Sequence, residues 1–243
     1  MFLTALEAAR SRVRSAIDEF GGSLAILTSF QREGVVIMDL ALAVSPDIPV
    51  VTIDTGRLPR ETFEMIDALE ARFGIKVERI QPDPAEVGEM VEMHGLDLFR
   101  DGVPKRMLCC NVRKVRPLAE RMRGMAAYLT GIRRGQNAER AEVEAFDRGS
   151  SPVRVSPLVD WSAEEVLAYT REHGLPEHPL YSRGYTSIGC EPCTRAVSEG
   201  EDERAGRWWW EIDAAKECGL HFSPDGRAER TVDVMLRDLL VRV

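Results

Sequence analysis

Short apolar runs alternate along the chain with longer segments in which apolar residues recur every three or four positions. Five runs predict β-strands, at 23–28, 48–53, 75–80, 126–131 and 152–158. The wider spacing predicts helices at 34–44, 59–73, 84–94, 110–123 and 162–173, the last with Ser162 as its N-cap. Because a strand, a helix and a parallel strand form one crossover unit, this alternation predicts an α/β fold. Its sheet is expected to be mainly parallel, with helices on both faces.

The pattern changes from about Pro176, where turn residues, charges and aromatic residues replace regular periodicity. Long stretches of this kind in compact proteins are usually functional or disordered. We expect an irregular C-terminal segment that lies over the α/β body and adds no second hydrophobic core. The chain is accordingly divided into an α/β domain at 1–200, which contains two close pairs of cysteines, and a C-terminal tail at 201–243, which contains the fifth cysteine.

Composition and charge narrow the class of protein. The chain has 243 residues and a formal net charge of −8, whereas general nucleic-acid binding calls for a basic surface. Charged residues interrupt the N-terminal apolar positions, which argues against a signal peptide, and no apolar run has the length of a membrane span. We therefore expect a cytoplasmic protein that binds neither nucleic acid nor membrane, and whose cysteines are reduced.

Ligands of open α/β sheets bind beyond the carboxyl ends of the strands, so the loops that follow strands are the candidate sites. Three such loops are TSFQREG, DTGRLPRET and GIRRGQNAER. None has the spaced glycines of a dinucleotide site or the GK[ST] of a P-loop. The first opens a helix, so that its amides and Ser29 can hold an anion, although an ordinary turn is an equal alternative. Arg133, Arg134 and Arg140 in the third suit phosphate or sulfate, with a solvated basic turn as the alternative.

Four of the five cysteines form two close pairs. Cys190 and Cys193 have the C-x-x-C spacing on an E-P-C turn, which favours a metal or redox site. Cys109 and Cys110 are adjacent at the start of the predicted helix 110–123, so their side chains point in different directions. A cluster of several irons accepts such a pair more readily than one tetrahedral zinc, and two buried apolar cysteines are the alternative. No ligand spacing is seen for three histidines, which are predicted to lie at the surface or in loops: His94, His173 and His178.

Cys218 is left over once four thiolates make a complete ligand set. A single cysteine in a reducing compartment is a candidate nucleophile. Its reactive thiolate form is favoured by cations, and Lys216 and His221 lie close in sequence, with Arg204 and Arg207 upstream. Its position near the C-terminus fits a segment that closes on a substrate and then opens to a second reactant.

These residues belong to a set of motifs that occur in order over most of residues 23–221. The motifs are DTGRLPRET, CCNVRKVRPL, LTGIRRGQNAERAE, VSPLVDWSAEEV, GYTSIGCEPCTR, GEDERAGRWWWE and KECGLH. By these motifs the chain resembles the assimilatory sulfonucleotide reductases, most closely the iron–sulfur branch that reduces adenosine 5′-phosphosulfate. Paired CC and CxxC followed by ECGLH is a highly specific combination.

The resemblance implies a fold and a set of site residues. It implies an adenine-nucleotide hydrolase-like sheet, related to that of the ATP pyrophosphatases, with TSFQREG in the place of the pyrophosphate loop but without its SGGxDS pattern. It implies a [4Fe–4S] cluster held by Cys109, Cys110, Cys190 and Cys193, and Cys218 as the catalytic nucleophile. The residues that it places around the substrate are Ser29, Asp54, Thr55, Gly56, Lys114, Gly131, Arg133, Arg140, Arg204, Arg207 and His221.

The expected reaction is thioredoxin-dependent reduction of adenosine 5′-phosphosulfate to sulfite and AMP through an S-sulfocysteine at Cys218. A homo-oligomer is also expected from the resemblance. One alternative is a reductase of 3′-phosphoadenosine 5′-phosphosulfate, and another is a zinc-stabilised nucleotide-binding protein without redox activity. An ATP-dependent sulfurtransferase is disfavoured because the SGGxDS loop is missing.

Overall fold

A six-stranded sheet forms the centre of the molecule. The computed structural model describes residues 2–136, 140–211, 221–222 and 228–229. The strands of the sheet are β1 Leu24–Leu27, β2 Val50–Ile53, β3 Val77–Ile80, β4 Ala127–Leu129, β5 Phe146–Asp147 and β6 Val153–Val155. Their order is β3-β2-β1-β4-β6-β5, and every neighbouring pair is parallel except β5 with β6. The short strands β7 His221–Phe222 and β8 Ala228–Glu229 pair with each other.

In the described part of the chain, seven α-helices surround or connect these strands. They are α1 Phe2–Phe20, α2 Arg32–Leu42, α3 Arg60–Phe73, α4 Pro84–His94, α5 Val103–Cys110, α6 Arg116–Met122 and α7 Ala163–Glu172. A π-helical segment, Asn111–Val115, joins α5 to α6 in one continuous helical run. Within the described part of the chain, no helix combines the length and the apolar character needed to cross a membrane.

Both faces of the sheet are covered, as the alternation of strands and helices predicts. Successive side chains of a strand point to opposite faces. In β4, Ala127 and Leu129 belong to the main hydrophobic core, which includes residues of α1, α2, α3 and α7. Tyr128, between them, packs instead with Leu118 and Met122 of α6. The predicted parallel α/β fold is confirmed.

Between β1 and α7 the observed strands and α-helices correspond closely to the predicted ones, with two exceptions. The Ser162 cap is confirmed as a capping box, in which Ser162 Oγ accepts from the Glu165 amide at 3.2 Å and the Glu165 carboxylate accepts from the Ser162 amide at 2.8 Å. The first exception is the short antiparallel strand β5, which was not predicted.

The second exception is the helix predicted at 110–123. The helical run begins at Val103, so Cys109 and Cys110 close α5 in the middle of that run, and their placement at a helix start is wrong. The helix begins earlier because Gly102 adopts φ +103°, a conformation suited to glycine, and Pro104 lies in the first turn.

The irregular segment after Pro176 does contribute to a second apolar core, contrary to expectation. This second core contains Met90, Leu98, Phe99, Cys109, Val112, Cys193 and Trp208. A buried ion pair closes it, with 2.8 Å between Arg106 Nε and Glu211 Oε1, and with side chains 4% and 5% exposed. The Arg106 guanidinium also lies over the Trp208 ring at 4.4 Å. The segment is therefore packed onto α5, and the domain division at residue 200 stays a prediction.

Candidate active site

A cavity of about 1190 Å³ opens at the carboxyl ends of the central strands, where Leu27, Ile53 and Thr130 line it. The other walls come from α5, the π-helical segment and the stretches 140–154 and 187–208. Eleven of the predicted site residues line this cavity: Ser29, Thr55, Cys109, Cys110, Lys114, Gly131, Arg140, Cys190, Cys193, Arg204 and Arg207.

The four paired cysteines meet at this cavity from two segments. Cys109 and Cys110 end α5, and Cys190 and Cys193 flank a 3-10 turn, all four as thiols. Four thiols on one cavity wall match the donor set of an iron–sulfur cluster or of zinc, so the residues fit such a group chemically. Within the described ranges, no group of three or more His, Cys, Asp or Glu side chains has the spacing needed to hold a metal ion.

Burial and nearby cations act in opposite directions on the Cys109 thiol. Burial raises the pKa of the Cys109 thiol, while the guanidinium groups of Arg113 and Arg57 act in the opposite direction. The hydroxyl of Thr55 and the thiol of Cys190 are in hydrogen-bond contact at 3.1 Å. Metal binding requires thiolates, so these cations would lower the free energy of the ligand form.

Backbone hydrogen bonds fix the C-x-x-C turn to its surroundings. The Glu191 amide donates to the Arg57 carbonyl at 2.8 Å, which ties the turn to the loop after β2. The Trp208 amide donates to the Cys193 carbonyl at 3.2 Å. Thr194 Oγ donates to the Cys190 carbonyl at 2.9 Å. The cysteine turn and the segment that carries Arg204 and Arg207 therefore form one hydrogen-bonded unit.

Arg207 depends on a glycine for its position. A Cβ placed on Gly189 would lie 2.3–2.6 Å from the Arg207 guanidinium, so the residue at this position must be glycine for the side chain to pack here. The guanidinium also stacks over the Trp208 ring at 4.6 Å. Nearby, Arg204 Nη1 donates to Ser187 Oγ at 3.4 Å. Both arginines thus present charge at the cavity wall from a packed segment.

Three predicted substrate residues do not line the cavity and have structural contacts instead. The Asp54 carboxylate accepts from the Gly56 amide and from Gln81 Nε2, each at 2.9 Å, and so shapes the turn after β2. Gly56 adopts φ +69°, which this turn requires. Arg133 is buried, and its Nε donates to Glu33 Oε1 at 2.8 Å. Arg133 therefore joins the loop after β4 to the first turn of α2.

Cys218, the predicted nucleophile, lies outside the described residues. His221 is described only as the first backbone position of β7. Arg134, which follows Arg133 in the loop after β4, forms an ion pair with Asp160 and does not line the cavity. His178 lies in a loop, one of the two placements expected for it, but its side chain is buried and its Nε2 contacts Thr62 Oγ1 at 3.0 Å. Burial lowers the pKa of His178 to about 4.

Sequence reasoning missed several polar residues of the cavity. Gln31 accepts from the Ile188 amide at 2.9 Å and thereby ties the loop after β1 to the cysteine segment. Glu203 lines the cavity beside Arg204, and burial raises the pKa of its carboxyl. Gln136 lines it from the loop after β4. Gln31 and Gln136 both lie in loops that follow strands, and this position is the signal that could have identified them. Their neutral amides are not detected by a search for clustered charges.

The phosphoadenosine phosphosulfate reductase domain family matches residues 23–196 of the chain. A curated adenosine 5′-phosphosulfate reductase of Allochromatium vinosum is 44% identical over 223 residues, which cover 90% of this chain and 87% of that protein. One of Agrobacterium fabrum is 44% identical over 211 residues, covering 86% and 81%.

Solved structures agree with this family. A phosphoadenylyl-sulfate reductase of Candida auris, in a phosphate complex, has a TM-score of 0.66 and 25% identity, covering 78% of this chain and 90% of that one. An FMN adenylyltransferase of Candida glabrata shares the fold alone, with a TM-score of 0.58 at 14% identity over 82% of this chain and 67% of that one. The chain therefore belongs to the phosphoadenosine phosphosulfate reductase family, and its similarity to curated adenosine 5′-phosphosulfate reductases extends over most of its length.

Proposed function

We propose that this protein reduces adenosine 5′-phosphosulfate to sulfite and AMP in assimilatory sulfate reduction, with thioredoxin or a similar dithiol protein as the electron donor. The observation that carries the proposal is one cavity that brings four cysteine thiols together with Lys114, Arg140, Arg204 and Arg207. Relatives named for this activity are similar to the chain over most of its length.

We also propose a [4Fe–4S] cluster on Cys109, Cys110, Cys190 and Cys193. The chemistry of the donor set supports it, because iron–sulfur clusters are commonly held by four cysteine thiolates. The cations Arg57 and Arg113 near Cys109 favour thiolate ligands. The cluster, when bound, would supply a fixed charge beside the substrate, whereas the two electrons of the reduction come from the dithiol.

The first chemical step is a displacement at sulfur. The Cys218 thiolate attacks the sulfur of the sulfate group, a new S–S bond forms, and the bond from that sulfur to the AMP oxygen breaks with its electron pair leaving on AMP. The enzyme then carries an S-sulfocysteine. The attack brings an anion towards an anionic group, so positive charge aimed at the phosphosulfate is needed. Lysine and arginine from three separate segments supply that charge at the cavity wall.

The second step is thiol exchange. One thiolate of the dithiol protein attacks Sγ of Cys218, and sulfite leaves with the electron pair of the S–S bond. The second thiol of the donor then displaces Cys218, which returns as a thiolate while the donor becomes a disulfide. The sulfur of the substrate thus gains two electrons, and the donor loses two. This exchange needs a reducing compartment, so we propose a cytoplasmic location. The expected homo-oligomer stays a prediction, which light scattering tests.

The experiment is intact-mass spectrometry of anaerobically purified protein after incubation with adenosine 5′-phosphosulfate alone. We expect a gain of one SO₃ group, mapped to Cys218 and removed by reduced thioredoxin. Cys218→Ser is the matched control, with no adduct, no sulfite and an unchanged iron content. Loss of iron together with activity in that variant would make Cys218 a ligand and would refute its role as nucleophile.

The second candidate substrate is 3′-phosphoadenosine 5′-phosphosulfate. The family match and the Candida auris structure both favour it, since both are named for the 3′-phosphorylated nucleotide. Comparison of kcat/KM on the two nucleotides decides between them. The zinc alternative is tested in the same preparation, because an iron–sulfur protein is brown and a zinc protein is colourless.

A further inference from the structure

The side chain of Gln136 makes several hydrogen bonds within the described part of the loop after β4 and to α2. Gln136 Oε1 accepts from the Arg133 amide at 3.1 Å and also from Arg140 Nη1. Its Nε2 donates to Glu33 Oε1 at 3.2 Å and to the Gly131 carbonyl at 3.3 Å. Gln136 therefore connects the start of the loop, the end of the loop and the first turn of α2.

Only an amide can make this set of contacts. Its oxygen faces two donors, and its nitrogen faces two acceptors, so a reversed amide would place donor against donor and acceptor against acceptor. A carboxylate at this position could accept from Arg140 but could not donate to Glu33. It would also place a second negative charge beside a carboxylate whose side chain is only 12% exposed.

The loop is packed tightly where Gln136 joins it. A Cβ on Gly131 would lie 2.6 Å from Glu33 Cβ and 3.0 Å from the Gly34 amide nitrogen, so the backbone at this point touches α2 directly. The Arg133–Glu33 ion pair beside it is buried, with the Arg133 side chain 3% exposed. Gln136 thus extends from a rigid, packed junction towards the cavity, where it meets Arg140.

We propose that Gln136 is a positioning residue that sets the direction of the Arg140 guanidinium for the anionic part of the substrate. A neutral acceptor orients the guanidinium without adding negative charge to a site that binds an anion. This inference rests on the proposed function, because it assigns to Arg140 the phosphosulfate of adenosine 5′-phosphosulfate. It predicts that Gln136 acts through Arg140 and not independently of it.

The test is a double-mutant cycle on the holoenzyme, with binding of adenosine 5′-phosphosulfate followed by calorimetry. We expect Gln136→Met to raise Kd about tenfold, which corresponds to about 1.4 kcal/mol. We expect the double variant Gln136→Met/Arg140→Met to bind as weakly as Arg140→Met alone and no more weakly. Arg134→Met is the matched control, since Arg134 is on the same loop but pairs with Asp160, and its Kd should equal that of the wild type.

Gln136→Glu gives a second reading that does not depend on the fold of the Met variant. Its protonated carboxyl can donate to Glu33 and its ionised form cannot. We therefore expect its Kd relative to wild type to increase as pH rises through the pKa of the new carboxyl. Additive effects in the cycle, or a pH-independent ratio for Gln136→Glu, would overturn the positioning role. A wild-type protein that does not bind adenosine 5′-phosphosulfate would instead overturn the function on which the inference rests.

Discussion

The buried ion pair between Arg106 and Glu211 allows a direct test of what holds the C-terminal segment onto α5. Glu211→Gln keeps the shape of the side chain but removes its charge, which leaves the Arg106 guanidinium buried without its counter-ion. The two side chains are 4% and 5% exposed, so water cannot replace the lost partner. Glu211 also follows the segment that carries Arg204 and Arg207, while Arg106 is on the helix that carries Cys109 and Cys110.

Removal of one member of a buried pair costs about 3–5 kcal/mol, because an uncompensated charge remains in the interior. For a chain of this size we expect the melting temperature to fall by about 10 °C. Replacement of both residues by apolar ones, as in Arg106→Met/Glu211→Leu, should cost less than either single change, since no charge is left buried. In this double variant the methionine at position 106 also replaces part of the contact that Arg106 makes with Trp208, because methionine packs well against aromatic rings.

The assay is urea unfolding of wild type, Arg106→Met, Glu211→Leu and the double variant, which together close the cycle, with Glu211→Gln measured beside them, each purified anaerobically. The free energy of unfolding gives the coupling between the two positions directly. Additive effects of the two single changes, or single effects below about 1 kcal/mol, would refute the argument that the pair is buried and mutually compensating.

Three further predictions concern single residues of the site and its surroundings. Gly131→Ala should lower the free energy of unfolding by about 1–3 kcal/mol, because the new Cβ meets backbone and Cβ atoms of α2 at 2.6–3.1 Å. Chemical denaturation measures this loss, and an unchanged denaturation midpoint would show that the packing is not as tight as described. Gly189→Ala should instead leave the melting temperature nearly unchanged and raise KM, because the new Cβ displaces only the end of the flexible Arg207 side chain. A large loss of stability with a normal KM would show that Arg207 has a structural role and does not bind substrate. His178 has a folded pKa of about 4, below its ordinary value of 6.5, so the unfolded chain binds the proton first as pH falls. The wild type should therefore lose up to about 3 kcal/mol of stability between pH 6.5 and 4, and His178→Gln should lack this component in unfolding titrations across that range.

Much of the fold could be predicted from the sequence because its central strands β1, β2 and β4 are buried on both faces. Continuous apolar runs such as those of β1 and β2 leave little choice of structure, and the helices between them have clear periodicity. The start of α5 could not be seen in the apolar spacing, which is irregular there, and its local signals are Gly102 before the helix and Pro104 in its first turn. The strand β5 has only two residues, too few for any period to be visible.

The site was predictable where the residue type itself carries the chemistry. Thiols and cations such as Cys190 and Arg140 could be selected from the sequence, and the structure places both at the cavity. Arg133 shows the limit of that approach, since its charge is used inside the protein by Glu33. No spacing rule reports that two residues 100 positions apart meet, as these do. The role of Gln136 was invisible for the same reason, because it depends on contacts with both.

The order of the strands also determines how this chain must fold as it is synthesised. β1 lies inside the sheet, with β2 on one side and β4 on the other. Leu24 pairs with Ala127, so one edge of β1 has no partner until about 100 more residues have been made. At about 5–20 residues per second, that apolar edge is available to other chains for roughly 5–20 s. The first half of the protein is thus the part most exposed to aggregation, and fragments that end before β4 should require chaperones to stay in solution.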